Sequence, residues 1–393
     1  MNFIIAFSIV MAFMLIGEWV STVSHAYIPS VFVSAILFVI GFWTVLPKTV
    51  VASASFGPQF ISIAIPLLLV HLGTLMSLKE LLQQWKAVCI ALLGVIGTLI
   101  LTLTIGTWLF NWHTVVAAIP PLTGGLVSAL LMSNGLKSQG ITALVALPVS
   151  MFVLHSVVGY PLTAAMLKHE GKRLSIVFNK NRATLAPKYE QSDESKEKKD
   201  SLIKLPNAYV TSAYLLVKVA IVALISMGFA MLIHNVINAN VVCLIFGVIA
   251  HQLGFLENNI LGKAGVFSWL MYGLLAYVFG QLSSTTPSLM GTIIVQIITL
   301  IALGLLGMFL AARLLAKPFG MTWQMAYACS LTSLFGFPAD YILTSEISRS
   351  VASGDKPLEG YLRDQMMPKM LVGGFATVSV ASVIIASIFL KLL

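Results

Sequence analysis

Two stretches of this 393-residue chain concentrate the residues that could handle a polar ligand within an otherwise apolar sequence. The first, AAIPPLTGGLVSALLMSNG over Ala117–Gly135, sets Pro120 and Pro121 ahead of Thr123, Gly124 and Gly125, with Ser128, Ser133 and Asn134 following. The second, AYACSLTSLFGFPADYILTSE over Ala326–Glu346, carries Ser330, Thr332 and Ser333, then Gly336, Pro338 and Asp340. A proline pair removes two backbone donors and halts a helix. The glycines let backbone approach a ligand, and Thr123 is placed to cap a half-helix. Half-helix N-termini present free N–H groups and a positive dipole end to an anion. Unwound carbonyls and Ser/Thr hydroxyls offer oxygens to Na⁺. On this chemistry the expected substrate contacts are Thr123, Gly124, Gly125, Ser128, Ser333 and Gly336. The expected cation-coupling group is Asp340 with Thr332 and Ser330. Asp340 has two readings at this stage. It is an N-cap just after Pro338, or a coupling-cation ligand or proton carrier, because an acid at membrane depth is costly.

The remaining ionisable residues carry weaker signals. Glu346 is expected near the cytoplasmic mouth, and Glu18 near the inner end of the first span. His71 and His155, each inside an apolar run, read first as satisfied buried histidines. Lys218 is expected to snorkel to the cytoplasmic interface, and His251 has no evident partner in the sequence. Cys89, Cys243 and Cys329 are dispersed in apolar runs with no CxxC spacing, which argues against a disulfide framework or a zinc site. No HExxH, GxSxG, Walker A or paired-carboxylate motif occurs, so an enzyme is not expected. Neither is a cofactor or metal beyond a coupling Na⁺.

The elements that must position these residues are membrane helices. The chain is 58% apolar and only 9% charged, with a mean hydropathy of +0.96, against about 25% charged residues in a soluble domain. Apolar runs predict ten spans. Five lie in the first half: Phe3–Val20, Ile28–Leu46, Phe60–Met76, Ala87–Phe110 and Ile141–Leu167. Five lie in the second: Val210–Ile233, Val241–Leu256, Val266–Leu282, Met290–Leu314 and Leu371–Leu393. The N-terminal run has no basic flank and no cleavage site, and reads as a retained first span. The two interrupted stretches, within Thr114–Gly135 and Thr322–Ser350, fall at matching places. The order of elements therefore predicts an internal repeat. Residues 1–167 form the first membrane repeat, 168–207 a flexible cytoplasmic loop with the run QSDESKEKKDS, and 208–393 the second repeat. If both interrupted stretches enter and leave on one side, 19 of the 23 Lys and Arg face the cytoplasm. Lys48, Lys137 and Lys391 face out, and Lys218 lies inside a span. That charge split selects the re-entrant arrangement. The expected fold is an all-α membrane protein of two inverted five-span repeats, each with a re-entrant or broken helix. It would be multi-pass in the cell inner (plasma) membrane with both termini outside. The net charge of +9 then reflects orientation, and nucleic acid is not an expected partner.

Several stretches resemble the glutamate:sodium symporters of bacteria. IPSVFVSAILFVIGF (Ile28–Phe42) is similar to that family's second span. IPLLLVHLGTLMSLKELLQQWKAVCIALLGVIG (Ile65–Gly97) is similar to its third and fourth spans with the turn between. VVCLIFGVIAHQLGF and Phe267–Leu282 are also similar. The resemblance implies inverted repeats with paired re-entrant segments, sodium-coupled uptake of glutamate, and a homodimer with a moving transport domain. The family's Gly-Gly-x-Gly-x-Gly-like signature is reduced here to Gly124-Gly125, with Val127 and Ala129 in place of the later glycines. The expected function is a secondary active transporter coupled to Na⁺ or H⁺, and the resemblance implies a small carboxylate or amino acid as its substrate. A passive channel or an exporter for a small organic anion is the alternative.

Overall fold

The computed structural model describes residues 2–24, 28–75, 84–141, 144–145, 147–190, 209–234, 239–284 and 287–393. Among these residues the chain is helical, without strands. The first half contains α1 (Phe3–Val23), α2 (Ser30–Thr44), α3 (Pro58–Gly73), α4 (Trp85–Leu101), α5 (Trp112–Ser138), α6 (Leu147–Lys180) and α7 (Arg182–Glu190). The second contains α8 (Ser212–Leu232), α9 (Ala239–Gln252), α10 (Phe267–Gly280), α11 (Pro287–Leu315), α12 (Trp323–Leu331), α13 (Ala339–Ala352), α14 (Lys356–Phe375) and α15 (Ser382–Leu390). One-turn helices, Val50–Ser53 and Ile260–Lys263, precede α3 and α10. Wide turns extend α4 through Thr102–Gly106 to Leu109 and join α14 to α15 through Ala376–Ala381.

Among the described residues five helices are long and apolar enough to cross a membrane: Phe3–Val23, Trp85–Leu109, Ser150–Lys180, Ser212–Leu232 and Ile294–Leu315. Four shorter ones, α2, α3, α9 and α10, are also apolar. On α8, Val217, Ile221, Leu224, Ile225 and Leu232 form an exposed stripe at helical spacing, as a lipid-facing surface requires. The protein is an all-α membrane protein. Helices touch where small residues let backbones approach, the packing lipid favours. α4 crosses α11 at Gly97 and Gly307, where a Cβ on Gly97 would fall 2.9 Å from the Gly307 carbonyl carbon. There Thr98 Oγ1 donates to the Gly304 carbonyl at 3.0 Å. α3 crosses α9 at Gly73 and Gly247 in the same way.

The expected span Ile141–Leu167 and the loop 168–207 need correction. α6 runs on to Lys180 and α7 to Glu190. Leu174, Phe178 and Ala186 form a buried stripe inside this basic stretch, and Phe178 and Tyr189 pack on Tyr361 of α14. Average composition hid that stripe. The rest of the expected flexible loop, 191–207, lies outside the described residues.

α5 is not one straight rod. Its two ends meet at the same place: Trp112 Nε1 donates to the Leu392 carbonyl at 3.1 Å, and Gln139 Nε2 donates to the Leu390 carbonyl at 2.9 Å. A straight helix of 27 residues would hold them about 40 Å apart. The chain therefore doubles back, and Ser128 Oγ on the Pro120 carbonyl at 2.8 Å closes the bend. Residues eight apart on a straight helix are separated by about 12 Å.

The α12–α13 stretch doubles back as well. Thr322, which caps α12 by accepting from Met325 N, donates to Glu170 Oε2 at 2.7 Å. At the other end Val351 lies beside Gly171. Both ends thus sit at one point on α6. The bend is a tight turn at Thr332–Leu334 followed by Gly336, whose φ of +62° suits only a residue without Cβ. It lies further back along α6, where His155 Nε2 meets the Leu334 carbonyl at 2.5 Å and Tyr160 packs on Phe335. α6 meets α14 at Phe178 and Tyr361, and just past the end of α6 Arg182 pairs with Asp355, the cap of α14, at 2.6 Å, so the end of α6 lies at the start of α14 and the two run antiparallel. The two hairpins accordingly have their bases at opposite ends of the molecule, α5 at Leu390–Leu392 and α12–α13 at Glu170–Gly171. Thr332–Leu334 packs against α5, and the two bends rest about one turn apart on the same wall, Gly124 beside Ser382 and Gly336 beside Val378.

Candidate functional site

The meeting point of the tips gathers most of the residues singled out by sequence. Thr123, Ser128, Ser330, Thr332, Ser333 and Asp340 are all buried, and Gly125 lies in the helical backbone of α5. The expectation that Pro120-Pro121 halts the helix needs refinement. Helical turns continue through the pair, and it marks the fold of the hairpin. The carbonyl of Pro120 accepts from Thr123 Oγ1 (3.1 Å) and Ser128 Oγ (2.8 Å), so both hydroxyls brace the bend and Thr123 is not a helix cap. Gly124 lies against α15, where a Cβ would fall 2.8 Å from Ser382 Cα.

In the second tip the predicted group divides. Ser330 Oγ turns away to the carbonyls of Ile90 (3.3 Å) and Ala326 (3.1 Å), and Ser333 Oγ faces Met308 Sδ at 4.0 Å. Thr332 Oγ1 donates to the Cys329 carbonyl at 2.6 Å and faces Gly373. Asp340 faces the adjoining Gly374, where a Cβ would fall 2.5 Å from Oδ2. Thr332 and Asp340 therefore share the Gly373–Gly374 wall, while Ser330 and Ser333 do not reach it.

Asp340 is not the residue that caps α13; Pro338 occupies that position. Asp340 Oδ1 accepts from Tyr341 N at 2.7 Å, its own N–H donates to the Gly336 carbonyl at 3.1 Å, and Thr344 Oγ1 donates to its carbonyl. Oδ2 has no hydrogen-bond partner among the described residues, and the side chain is 0% exposed. A carboxylate oxygen in such surroundings needs compensation by a proton or a cation. Chemically, the site can hold and release one positive charge beside two helix breaks.

Sequence reasoning missed four contributors. Gly373 and Gly374 form the wall. The wide turn Ala376–Ala381 that follows them packs against both tips, and such turns recur at functional sites. Thr377 and Ser382 are buried along it. The signal was present in the Gly-Gly pair followed by hydroxyl residues inside the last apolar run. His155 also supports the tip through Leu334, beyond its reading as a satisfied histidine.

Among the described residues, His71 Nε2 and His155 Nδ1 are buried without a hydrogen-bond partner, so neither is the fully satisfied histidine that the sequence suggested. His71 Nδ1 accepts from Leu261 N at 3.2 Å and steadies the turn before α10. His251 Nδ1 meets the Leu256 carbonyl at 2.9 Å. Lys218 does not snorkel. It is 3% exposed, paired with Glu257 at 2.7 Å, and flanked by the rings of Tyr214 and Phe255 at 5.2 and 5.3 Å. Glu346 joins α13 to α1 and α2, accepting from Ser21 Oγ at 2.9 Å and Ser30 N at 3.2 Å, with Ser30 Oγ on its other oxygen.

No known family model matches this chain, and neither does any curated protein sequence. The resemblance to the symporters rests on the quoted stretches alone.

Proposed function

We propose that this protein is a secondary active transporter that couples uptake of a small carboxylate or amino acid to Na⁺ or H⁺. The observation that carries this reading is the pair of hairpins with bases at opposite ends, meeting tip to tip beside a buried acid with one open oxygen. Irregular backbone at membrane depth persists only where protein or a water-filled cavity surrounds it. Two such breaks facing each other are the usual construction of a midplane transport site. In this reading each hairpin is re-entrant, the halves are inverted repeats, and ten spans place both termini outside. The basic residues support the orientation. Lys86 approaches Gly320, Arg313 lies over Trp323, and Arg173 pairs with Glu170, all at the Thr322 end. The other end carries Lys137 and Lys391. That asymmetry fits a cytoplasmic face at Glu170–Thr322. Asp340 serves as the coupling group, taking a cation when the substrate is bound and releasing it on the other side. A glutamate-like substrate follows from the resemblance.

The test is uptake into proteoliposomes of a panel of amino acids and carboxylates, with and without a Na⁺ or H⁺ gradient. Gradient-driven accumulation of at least one member is expected. Downhill flux only, insensitive to either gradient, would refute coupled transport.

A further inference from the structure

A cavity of about 670 Å³ opens between α1, α2, α10 and α13, within the size range of small-molecule sites. It lies on a different face of α13 from the hairpin tips. Tyr341, Ile342, Ser345, Glu346 and Arg349 line it at helical spacing, while Asp340 looks to Gly374. Nothing in the transport site uses it.

Its charges are unequal. Two carboxylates, Glu18 and Glu346, and one guanidinium, Arg349, line the walls together with the phenols Tyr272 and Tyr341. Arg349 is directed partly elsewhere: its side chain is 74% exposed and stands 3.9 Å from Glu359. Glu346 is fixed in place by hydrogen-bond donors from Ser21 and Ser30, an all-donor shell suited to a carboxylate anion. Glu18 Oε1 is aimed by Tyr272 OH at 2.6 Å. Arg363 Nη2 likewise holds Tyr341 OH at 3.2 Å. Aromatic side chains complete the lining, Phe267 and Tyr341 packing nearly perpendicular with ring centroids 5.5 Å apart. Carboxylates combined with aromatic rings form the recognition surface for an organic ammonium ion. A dicarboxylate would meet two carboxyl groups, Glu18 and Glu346, on the cavity wall.

We propose that this cleft is a separate binding site for a small organic cation carrying a primary or quaternary ammonium group. Binding there needs no ion gradient and stands apart from the transport reading.

The full chain, purified in detergent, is titrated calorimetrically with choline, with its neutral isostere 3,3-dimethyl-1-butanol, and with glutarate. Choline is expected to bind at least about tenfold more tightly than the neutral isostere, with no competition from glutarate. Glu18→Gln is expected to weaken choline about tenfold at an unchanged melting temperature, because Glu18 is exposed. This variant keeps the test decisive even if Glu346→Gln fails to fold. Maleimide labelling of Thr22→Cys, a residue of the cavity wall, is expected to slow when choline is present. The proposal is overturned by absent choline binding, equal affinity for choline and its neutral isostere, competition by glutarate, an unaffected Glu18→Gln, or unprotected labelling at position 22.

Discussion

The doubling back of α5 can be tested by distance. His113 and Ser138 are both exposed and lie near the two ends of α5. Replacing both by cysteine, in a background lacking Cys89, Cys243 and Cys329, gives a pair of spin labels for pulsed dipolar spectroscopy. On a straight helix the two Cα atoms would be about 37 Å apart. The structure instead ties the adjacent residues to one place. The Trp112 and Gln139 contacts measure 3.1 and 2.9 Å. Their acceptors, two residues apart on the chain, lie within about 7 Å of each other. With two side-chain lengths of about 5 Å added, the Cα atoms of Trp112 and Gln139 fall within roughly 23 Å, and those of the labelled neighbours within about 30 Å at the outside. Label arms broaden the distribution but do not convert one value into the other. A main population near or above 35 Å would refute the hairpin and remove the chief support for a tip-to-tip site. A second pair at Trp323 and Ser350 is expected to be similarly close, since both ends of α12–α13 sit on Glu170–Gly171.

Other outcomes follow from the same geometry. Asp340→Asn should abolish cation-driven uptake, or weaken its cation dependence at least about tenfold. Unchanged dependence would mean that Asp340 is not the coupling group. Lys218→Met leaves the Glu257 carboxylate without its cation and should cost about 3–5 kcal/mol, whereas Lys218→Met with Glu257→Gln should recover most of that. Thermal unfolding in detergent reads both, and additive losses would exclude coupling between the two residues. Gly97→Leu inserts a side chain against the Gly307 backbone and should lower stability by at least about 1–3 kcal/mol. Gly228→Ala, at a helical position with open space around it, should be neutral or slightly stabilising.

Membrane class, the positions of most helices and the location of the two interrupted stretches were legible from apolar runs and from proline and glycine. These signals are local. The roles of individual hydroxyls were not legible. Thr123 and Ser128 were read as facing a ligand, yet the Pro120 carbonyl takes both, because a fold in the backbone needs its own hydrogen bonds. Ser330 and Thr332 are two residues apart, and the tight turn sends one to α4 and the other to Gly373. Lys218 was misplaced because its partner Glu257 is 39 residues away, in a short connection that the sequence does not fold. The Gly373–Gly374 wall escaped notice because those glycines lie inside an ordinary apolar span, and only packing shows what their missing Cβ atoms admit.

Each hairpin leans on a helix from the other half of the chain, and this sets an order of assembly during synthesis. The α12–α13 hairpin emerges after α6, its rail, is already made, and can seat at once. The α5 hairpin emerges first and packs on α6, which follows it directly, but its base is not tied until residues 382–392 arrive, roughly 10–50 s later at ordinary rates of translation. Through that interval its arms, each too short to span a bilayer, lack the carbonyls of Leu390 and Leu392 that tie the base. Shortening the chain before Leu390 should therefore unseat residues 112–139, far away in sequence, while leaving the second hairpin in place. The turn at Leu390–Leu392 is the point at which the base of this much earlier polar element becomes fixed.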